Sequence, residues 1–213
     1  MRERKPAGWL HRYSANERTC HWLLAIGFVL AALSGLALFH PALYGLSGLL
    51  GGGPWTRILH PFIGVAMFAL FFLLAVPLWR YNRFRPGDRQ WLRQAADVVR
   101  NREENLPEVG RYNAGQKLLF FALVVCTVGL LLTGLAMWRP WLAASFPIGA
   151  VRAASLLHAF FAAVMICLII VHIYAAFWVK GSMQAMLRGT VSRAWAFKHH
   201  RAWLREVERE GLG

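Results

Sequence analysis

Two histidines lie in the most apolar part of this sequence. The stretch SLLHAFFAAVMICLIIVHIYAAFW contains His158 and His172 and no residue with a permanent charge. An imidazole is costly in hydrocarbon, so it normally faces a protein interior and has a partner there. The two histidines are 14 positions apart, which returns them to within about 40° of one helix face with a rise of about 21 Å. One helix therefore presents imidazoles on one side at two depths.

A second histidine is available at each depth on another helix. His21 begins the first long apolar segment at the level of His172, and His60 begins the second at the level of His158. In a bis-imidazole site a haem iron takes one axial nitrogen from each of two helices, and the interior of a helix bundle is a usual place for such a site. The spacing predicts an inner haem and an outer haem, held by the pairs His21/His172 and His60/His158. Histidines with a structural or proton-relay role are the alternative.

The other histidines fit this pattern less well. His40 is 19 positions after His21, about 100° away around the helix, so it does not share that face. The sequence FHP at His40 nevertheless resembles LHP at His60, and His40 is kept as a reserve ligand for the outer pair. Surface positions in the basic terminal segments are expected for the remaining three, His11, His199 and His200.

Gly35 is placed where the outer site is expected. It follows His21 by 14 positions, the stagger that also separates His158 from His172, so it shares the face of His21 at the outer depth. Glycine permits a close approach to the backbone. Two readings stay open, contact with a macrocycle or contact with a neighbouring helix.

Four apolar segments are long enough to carry these histidines across a bilayer, which takes about 20 helical residues. The chain has 213 residues, is 57% hydrophobic and has a formal net charge of +14, a composition that fits a membrane protein with its charges in loops. The segments are approximately 22–39, 62–79, 118–138 and 156–179. The sequence predicts an all-α membrane protein in which a single domain, 1–213, forms a four-transmembrane-helix haem-binding bundle.

The basic residues indicate the orientation of this bundle. Of the 24 Lys and Arg residues, 21 lie before the first segment, between the second and third, or after the fourth; the other side has only Arg57, Arg139 and Arg152. The positive-inside rule then places both termini and the central loop in the cytoplasm. The first segment follows a basic stretch as a signal peptide does, but no small-residue cleavage site comes after it, so a retained helix is expected.

Local signals predict the connections. The cytoplasmic loop 80–117 contains PGDRQWLRQAADVVRN, which predicts a surface helix at about 89–101 with Asp88 as its N-cap, lying on the membrane or under a partner. The link HPALYGLSGLLGGGPWTRILHP is rich in Gly and Pro and reads as an ordinary loop. The three cysteines form no CxxC or CxxCH pattern, which argues against a disulfide scaffold, a thiolate cluster and covalently attached haem.

Several motifs, in this order, resemble a known family. ERTCHW, RILHPFIG, RYNAGQKLLF, TGLAMWRP, LLHAF and VHIYAAFWVKGSMQAMLRGTVSRAWAFKHH together resemble the membrane cytochrome b (gamma) subunit of respiratory formate dehydrogenases, from about His21 to Trp203. The resemblance implies two haem b groups with the ligand pairs already reached from depth. It also implies a multi-pass protein of the bacterial inner membrane with no nucleic-acid partner.

The same resemblance implies partners and a reaction. Formate oxidation would take place on a molybdenum or tungsten catalytic (alpha) subunit, and an iron–sulfur (beta) subunit on the outer face would pass the electrons to this chain. The chain would then be the quinone-reducing cytochrome b subunit of the complex. It would deliver electrons to menaquinone or ubiquinone near the cytoplasmic side and contribute to the proton-motive force, with membrane lipid as a further partner.

The resemblance places the quinone close to the inner haem, at the motif RYNAGQK. An iron-bound imidazole keeps its second nitrogen, so His172 could hydrogen-bond a quinone oxygen. Asn113 and Gln116 offer amide donors, and Gly115 leaves room for a flat ring. A second reading is that the motif only begins the third helix, with Asn113 as N-cap. Haem propionates or lipid phosphates are the partners considered for the two neighbouring cations, Arg111 and Lys117.

Other functions stay open at this stage. A similar haem bundle would serve as the cytochrome b subunit of a membrane-bound hydrogenase or of another oxidoreductase. A proton-coupled transporter could use the histidines as a relay. A purely structural anchor would have no use for histidines at matched depths.

Overall fold

The structure, a computed structural model of the chain, describes residues 8–100, 102, 106–139 and 141–211. The α-helices in this part of the chain are α1 (Ala15–Phe39), α2 (Gly53–Leu78), α3 (Pro86–Arg93), α4 (Ala95–Val99), α5 (Ala114–Met137), α6 (Ile148–Trp178), α7 (Ser182–Arg188), α8 (Arg193–His199) and α9 (Arg201–Arg209). Helices α1, α2, α5 and α6 are long and apolar enough to cross a membrane. The four predicted spans are therefore present.

The long helices begin before the segments predicted from hydropathy. Helix α1 starts at Ala15 because Ser14 and Glu17 cap it reciprocally. The Ser14 N–H donates to Glu17 Oε2 (2.7 Å), and the Glu17 N–H donates to Ser14 Oγ (3.2 Å). Such a capping box satisfies backbone donors that the first turn leaves open. Hydropathy marks the part of a helix that suits lipid, whereas the capping residues set where the helix begins.

The link between α1 and α2 is helical, so the prediction of an ordinary loop is wrong there. Pro41–Leu50 forms a 3-10 helix with Pro41 in its first turn, where the fixed φ of proline favours a helix start. The His40 ring caps this helix, since its Nδ1 accepts a hydrogen bond from the Ala42 N–H (3.2 Å). The helix ends at Gly51, whose φ of 88° lies in the left-handed region that favours glycine.

The predicted surface helix consists of two short helices and starts earlier than expected. The prediction of Asp88 as N-cap is wrong, because its carboxylate lies within the first turn and accepts a hydrogen bond from the Arg85 N–H (2.6 Å). Pro86 begins α3, as its fixed φ allows. The predicted end of the helix, Asn101, and the side chain of Val99 lie outside the described residues.

A small β-sheet adds to the all-α architecture predicted from the sequence. Strand β1 (Trp9–His11) pairs antiparallel with β2 (Thr190–Ser192), with Leu10 opposite Val191. These two buried side chains belong to a core that also contains Tyr13, Tyr112, Ala185, Ala196, Trp203 and Leu204. Strands this short give no periodic signal. The terminal segments are therefore folded together rather than being solvated tails.

The chain divides into two compact units. The basic unit comprises Met1–Arg18, Pro77–Phe121 and His172–Gly213, and the apolar unit comprises Thr19–Val76 and Ala122–Val171. The basic unit holds the central loop and both terminal segments. Three of the four candidate haem ligands belong to the apolar unit, namely His21, His60 and His158, whereas the fourth is the first residue of the last segment of the basic unit.

Candidate haem-binding site

His60 and His158, the predicted outer pair, lie next to each other in the apolar unit. Their ring centroids are 6.3 Å apart and their planes are inclined at 73°. A five-membered ring with bonds of about 1.35 Å has a radius of about 1.1 Å, and a metal–imidazole bond is about 2 Å long. Two such bonds and two such radii span about 6 Å. The separation of the rings matches one metal ion held between two imidazoles.

A hydroxyl group from another helix holds each of these rings. Ser34 Oγ, on α1, is 2.8 Å from His60 Nδ1, and Thr133 Oγ1, on α5, is 2.9 Å from His158 Nδ1. Each hydroxyl donates its own proton to a carbonyl one turn earlier in its helix, at 2.6 Å from the oxygens of Leu30 and Gly129. The hydroxyl must then accept from the ring N–H, since it has a single proton. The lone pair of Nε2 is thereby left for a metal in both rings.

A glycine follows each of these hydroxyl residues and makes room for the ring. A Cβ at Gly35 would lie 3.2 Å from Cε1 of His60, and one at Gly134 would lie 3.3 Å from Cε1 of His158. The depth predicted for Gly35 is therefore right. Of the two interpretations of Gly35, contact with a neighbouring helix is the one observed, and the contact is with the His60 ring on α2. Any larger residue would press against the imidazole, because glycine alone has no side chain there.

Sequence reasoning missed Ser34, Thr133 and Gly134. The available signal was the repeated pair of a hydroxyl residue and a glycine, Ser34–Gly35 and Thr133–Gly134, in two different apolar segments. A serine or threonine in such a helix commonly hydrogen-bonds to the backbone of its own helix, so these pairs are not a distinctive signal of a ligand site.

The outer pair fits a haem better than a bare ion. Two imidazoles supply two ligands, and among the described residues no group of three or more His, Cys, Asp or Glu side chains could hold a metal. The remaining ligands would have to come from a macrocycle, as they do in a haem. His60 and His158 would then be the axial ligands, with their tautomers set by the two hydroxyls.

The two residues of the predicted inner pair, His21 and His172, are described separately because they belong to different units. The His21 ring is half-buried and packs edge-on against Trp22, with 5.4 Å between the ring centroids. His172 is half-buried near the end of α6. His21 belongs to the apolar unit and His172 to the basic unit, so their pairing stays a prediction.

The reserve ligand His40 has a different role. Its side chain is exposed, and its Nδ1 accepts the Ala42 N–H at the start of the 3-10 helix. His60 and not His40 is the histidine next to His158. The structure therefore favours His60 for the outer pair.

Asn113 and Gln116 form the N-terminal cap of α5. The Asn113 N–H donates to Gln116 Oε1 (2.9 Å), and the Gln116 N–H donates to Asn113 Oδ1 (2.8 Å). The capping reading of this motif is confirmed. Both amide oxygens are used as acceptors in the cap, while the two amide groups keep their N–H donors. Capping and quinone binding are therefore compatible.

The flat ring beside Gly115 belongs to the protein itself. A Cβ at Gly115 would lie 3.1 Å from Cη2 of Trp91, whose side chain is buried against the start of α5. The room that we expected for a quinone ring at Gly115 is therefore used by an indole. The predicted surface helix α3 is held to the rest of the basic unit through this contact.

The two cations of the motif are already engaged. Lys117, which is 3% exposed, donates to Asp88 Oδ2 at 2.7 Å. Arg111 donates through Nη2 to the Arg12 carbonyl (2.5 Å) and lies 4.0 Å from the Glu17 carboxylate. Each cation thus has a partner within the basic unit, and a role toward haem propionates or lipid phosphates stays a prediction.

Arg12 is buried in a cage of aromatic rings. It is 3% exposed, and its Nη2 donates to the Arg111 carbonyl at 2.6 Å. Its guanidinium lies 4.7 Å from the centre of the Trp203 ring and 5.1 Å from that of Trp195. Cation–π contacts of this kind strengthen when the cation is desolvated. Arg12 and Arg111 thus join the N-terminal segment to the central loop through reciprocal bonds to each other's carbonyls.

His200 is buried, so the prediction of a surface role is wrong for this residue. It is 2% exposed, and its Nδ1 donates to the Gly110 carbonyl at 2.8 Å. Its Nε2 faces Arg12 Nη2 at 3.4 Å. Burial and the neighbouring Arg12 charge hold the pKa of His200 well below its usual value, so the ring is neutral at pH 7. The basic composition of the tail concealed this role.

Comparison with known proteins gives the family. Residues 12–189 match the family model of the prokaryotic cytochrome b561. The chain belongs to the prokaryotic cytochrome b561 family. It is 44% identical over 198 residues to the formate dehydrogenase cytochrome b556(fdo) subunit of Escherichia coli strain K12, covering 93% of each chain.

Two further relatives of the family are similar over most of the chain. The nitrate-inducible formate dehydrogenase cytochrome b556(Fdn) subunit of Escherichia coli strain K12 is 42% identical over 193 residues, covering 91% of this chain and 89% of the relative. The formate dehydrogenase cytochrome b556 subunit of Haemophilus influenzae is 40% identical over 195 residues, covering 92% of this chain and 82% of the relative. The resemblance drawn from the motifs is confirmed.

Membership of a cytochrome b561 family bears on the alternatives. It implies haem b, which agrees with paired imidazoles whose Nε2 atoms are left for a metal. A family of cytochromes with four apolar helices favours membrane electron transfer over a histidine-relay transporter or a structural anchor.

Proposed function

We propose that this chain is the di-haem cytochrome b subunit of a formate dehydrogenase and conducts electrons across the membrane to quinone. The observation that carries the proposal is the outer histidine pair, with ring centroids 6.3 Å apart and a hydroxyl on each Nδ1. The names of the relatives, all of them formate dehydrogenase cytochrome b556 subunits, support the choice of complex.

His60 and His158 hold the outer haem, and the chain sets how they do so. Ser34 and Thr133 keep the Nδ1–H of each ring occupied, which fixes the tautomer and the ring orientation. A neutral hydroxyl attracts the Nδ1 proton less strongly than a carboxylate would, so the imidazoles stay neutral ligands. When bound, the haem supplies a one-electron carrier whose potential depends on axial ligation and burial.

His21 and His172 hold the inner haem in this proposal, and the quinone lies near them. The second nitrogen of His172 and the amide N–H donors of Asn113 and Gln116 would bind the quinone oxygens. Gly115 contributes indirectly, because it lets the Trp91 indole pack against the first turn of α5. Menaquinone and ubiquinone share the carbonyl chemistry that these donors recognise.

The distribution of basic residues supports the membrane orientation on which the proposed direction of electron transfer depends. With both termini and the central loop in the cytoplasm, an iron–sulfur subunit on the outer face would supply electrons that a molybdenum or tungsten subunit takes from formate. The electrons would move inward against the membrane potential, which costs about 2.3 kcal/mol per charge per 100 mV. Proton uptake by quinone on the cytoplasmic side of the bacterial inner membrane would then contribute to the proton-motive force.

Haem content in single variants of the purified complex tests the proposal. In His60→Ala we expect loss of the outer haem with the inner haem kept, and in His172→Ala loss of the inner haem together with quinone reduction. His40→Ala is the matched control and should keep both haems, since His40 only caps a 3-10 helix. Protohaem counted after pyridine extraction gives the result.

Two outcomes would contradict the proposal. Retention of both haems in His60→Ala would remove the outer assignment. Co-purification of hydrogenase subunits in place of formate dehydrogenase subunits would keep the haem bundle and assign the chain to the rival complex.

A further inference from the structure

A basic cavity lies in the basic unit directly after the end of α6. Its volume is about 430 Å³, and the residues that line it include Lys180, Lys198, His199, Gln184 and Trp195. The described lining residues include no acidic side chain. We propose that this cavity binds the phosphate of an anionic phospholipid headgroup.

The positive charge of the cavity is not neutralised by the chain. Lys180 and Lys198 have no carboxylate within ion-pair distance in the described part of the protein. Other cations of the basic unit do have one, for example Arg193 with Glu208 at 2.6 Å. Both side chains are exposed, and each ammonium group near an anionic lipid strengthens binding about fivefold.

The cavity wall also holds a buried donor without an acceptor. Trp195 Nε1 is buried and has no hydrogen-bond partner among the described residues. A Cβ at Gly181 would lie 3.3 Å from this nitrogen, and Gly181 itself has a φ of 96°. Glycine at position 181 therefore lets the backbone pack against the indole and cover this N–H, and the charge that attracts a phosphate comes from the two lysines.

Aromatic and apolar side chains place the cavity at the level of lipid headgroups. The last turn of α6 exposes Tyr174, Phe177 and Trp178, and aromatic residues of this kind gather at the membrane–water interface. The short helices beside the cavity expose Leu187 on α7 and Phe197 on α8. Apolar side chains among basic ones are typical of helices that lie in the interface. A phospholipid could therefore contact both the basic cavity and the apolar side chains beside it, whereas a soluble anion would contact only the basic groups.

Thermal unfolding of the complete complex in defined micelles tests this site. We expect phosphatidylglycerol to raise the unfolding temperature of the basic unit, as any ligand that binds only the folded state does. Phosphatidylcholine, which has no net charge, and inorganic phosphate at the same concentration should leave it unchanged. The variant Lys180→Gln/Lys198→Gln should bind phosphatidylglycerol about 25-fold more weakly, since each basic side chain near an anionic lipid contributes about fivefold.

The variant Arg89→Gln/Arg93→Gln is the matched control. It removes the same charge from exposed positions of α3, and phosphatidylglycerol should stabilise it as it does the wild type. Equal weakening in both variants would mean a general charge effect and would overturn the proposal. Equal stabilisation by inorganic phosphate would make this a site for free phosphate rather than lipid.

A protein partner is the remaining competitor for the cavity. If Lys180→Gln/Lys198→Gln loses a co-purified subunit and keeps its response to phosphatidylglycerol, the cavity is a protein interface and the proposal fails. Helical circular dichroism establishes that the variant is folded, and Lys180→Arg/Lys198→Arg, which keeps both charges, should restore binding. None of these results depends on the assignment to formate dehydrogenase.

Discussion

The apolar unit and the basic unit differ in how several of their buried polar side chains form hydrogen bonds. In the apolar unit the buried hydroxyls of Ser34, Thr56 and Thr133 each donate to a carbonyl four residues earlier. In the basic unit the buried side chains of Arg12 and His200 reach carbonyls that are 99 and 90 positions away in the chain. Asn82, also buried in the basic unit, instead donates to the Leu78 carbonyl four residues earlier, so the contrast holds for Arg12 and His200 and not for every buried polar group of that unit.

The difference follows from where free backbone groups occur. Inside a membrane-spanning helix nearly every carbonyl already accepts a bond, so a hydroxyl shares one with its own helix and keeps its lone pairs for a neighbour such as a histidine ring. Loops and helix ends leave carbonyls open, and long cations can join separate segments through them. Substitution of the hydroxyls that contact the histidine rings should therefore alter the cofactor site, and substitution of the buried Arg12 or His200 in the basic unit should alter stability.

The largest expected effect comes from closing the space beside an outer ligand. In Gly134→Val the outer haem should be lost, because even a Cβ would lie only 3.3 Å from Cε1 of His158 and the added methyl groups would displace the ring. Gly149→Val on α6 is the control, since a Cβ there meets nothing within 4 Å. Haem content by pyridine extraction measures the effect. A full complement of haem in Gly134→Val would mean that the space beside His158 is not needed.

A somewhat smaller effect is expected where Arg12 joins distant segments. Arg12→Met should lower the free energy of unfolding of the basic unit by about 3 kcal/mol, because a charge-assisted hydrogen bond and desolvated cation–π contacts are lost. Amide hydrogen exchange in the C-terminal helices reports the loss, with Arg89→Met as the exposed control. The outer haem should keep its absorbance. Loss of that haem with unchanged exchange would reverse the comparison between the units.

The next effect is the pH dependence of the basic unit. Burial, Arg12 and His199 lower the pKa of His200 in the folded chain, against a weaker opposing effect of the Gly110 carbonyl, whereas an unfolded histidine titrates near about 6.5. Below that pH the unfolded state binds the extra proton, so stability is complete above about pH 6.5 and falls below it, by at most about 1.4 kcal/mol per pH unit.

Thermal unfolding between about pH 5.5 and 7.5 checks this expectation. The variant His200→Gln cannot titrate and should show a shallower dependence on pH than the wild type. Identical slopes for the two proteins would show that another group controls the acid sensitivity of the basic unit.

The smallest effect is expected from the hydroxyls on the outer ligands. Thr133→Val removes a neutral hydrogen bond worth about 1 kcal/mol, so the outer haem should stay bound. The hydrogen bond from Nδ1–H makes the imidazole a stronger electron donor to iron, which stabilises the ferric state. Without this bond the midpoint potential of the outer haem should rise by about 40 mV. Thr127→Val is the control on the same helix, because its buried hydroxyl has no partner in the described part of the chain. Equal potentials in Thr133→Val and the wild type would mean that the hydroxyl does not tune the site.

Several features of the site were predictable because they follow from helix geometry. The matched depth of His60 and His158 and the depth of Gly35 follow from the rise and turn of an α-helix once the spans are recognised. The cap at Asn113 follows from residue types three positions apart. Asp88 was wrongly predicted as N-cap because Pro86 could begin the helix earlier. Competition between such neighbouring signals is decided by about 1 kcal/mol.

Other features depended on contacts that no local pattern records. Ser34 and Thr133 look like ordinary hydroxyls in apolar helices until the neighbouring helix brings a ring within 2.9 Å or less. His200 lies in a basic tail, and only the packing of the loop and the terminal segments makes it buried. Trp91 takes the space beside Gly115 for the same reason.

The sequence by itself determined the four membrane spans, the matched depth of His60 and His158, and the family. The spans follow from the length of the apolar segments, and the depths from a helical period that is fixed by backbone hydrogen bonds. The family follows from motifs that occur in its characteristic order. The tertiary structure decided which hydroxyl contacts which histidine ring and which cations donate to the chain's own carbonyls. It also decided that Lys180 and Lys198 have no carboxylate beside them in the described residues. Such pairings depend on distances between segments far apart in sequence, and only packing sets those distances.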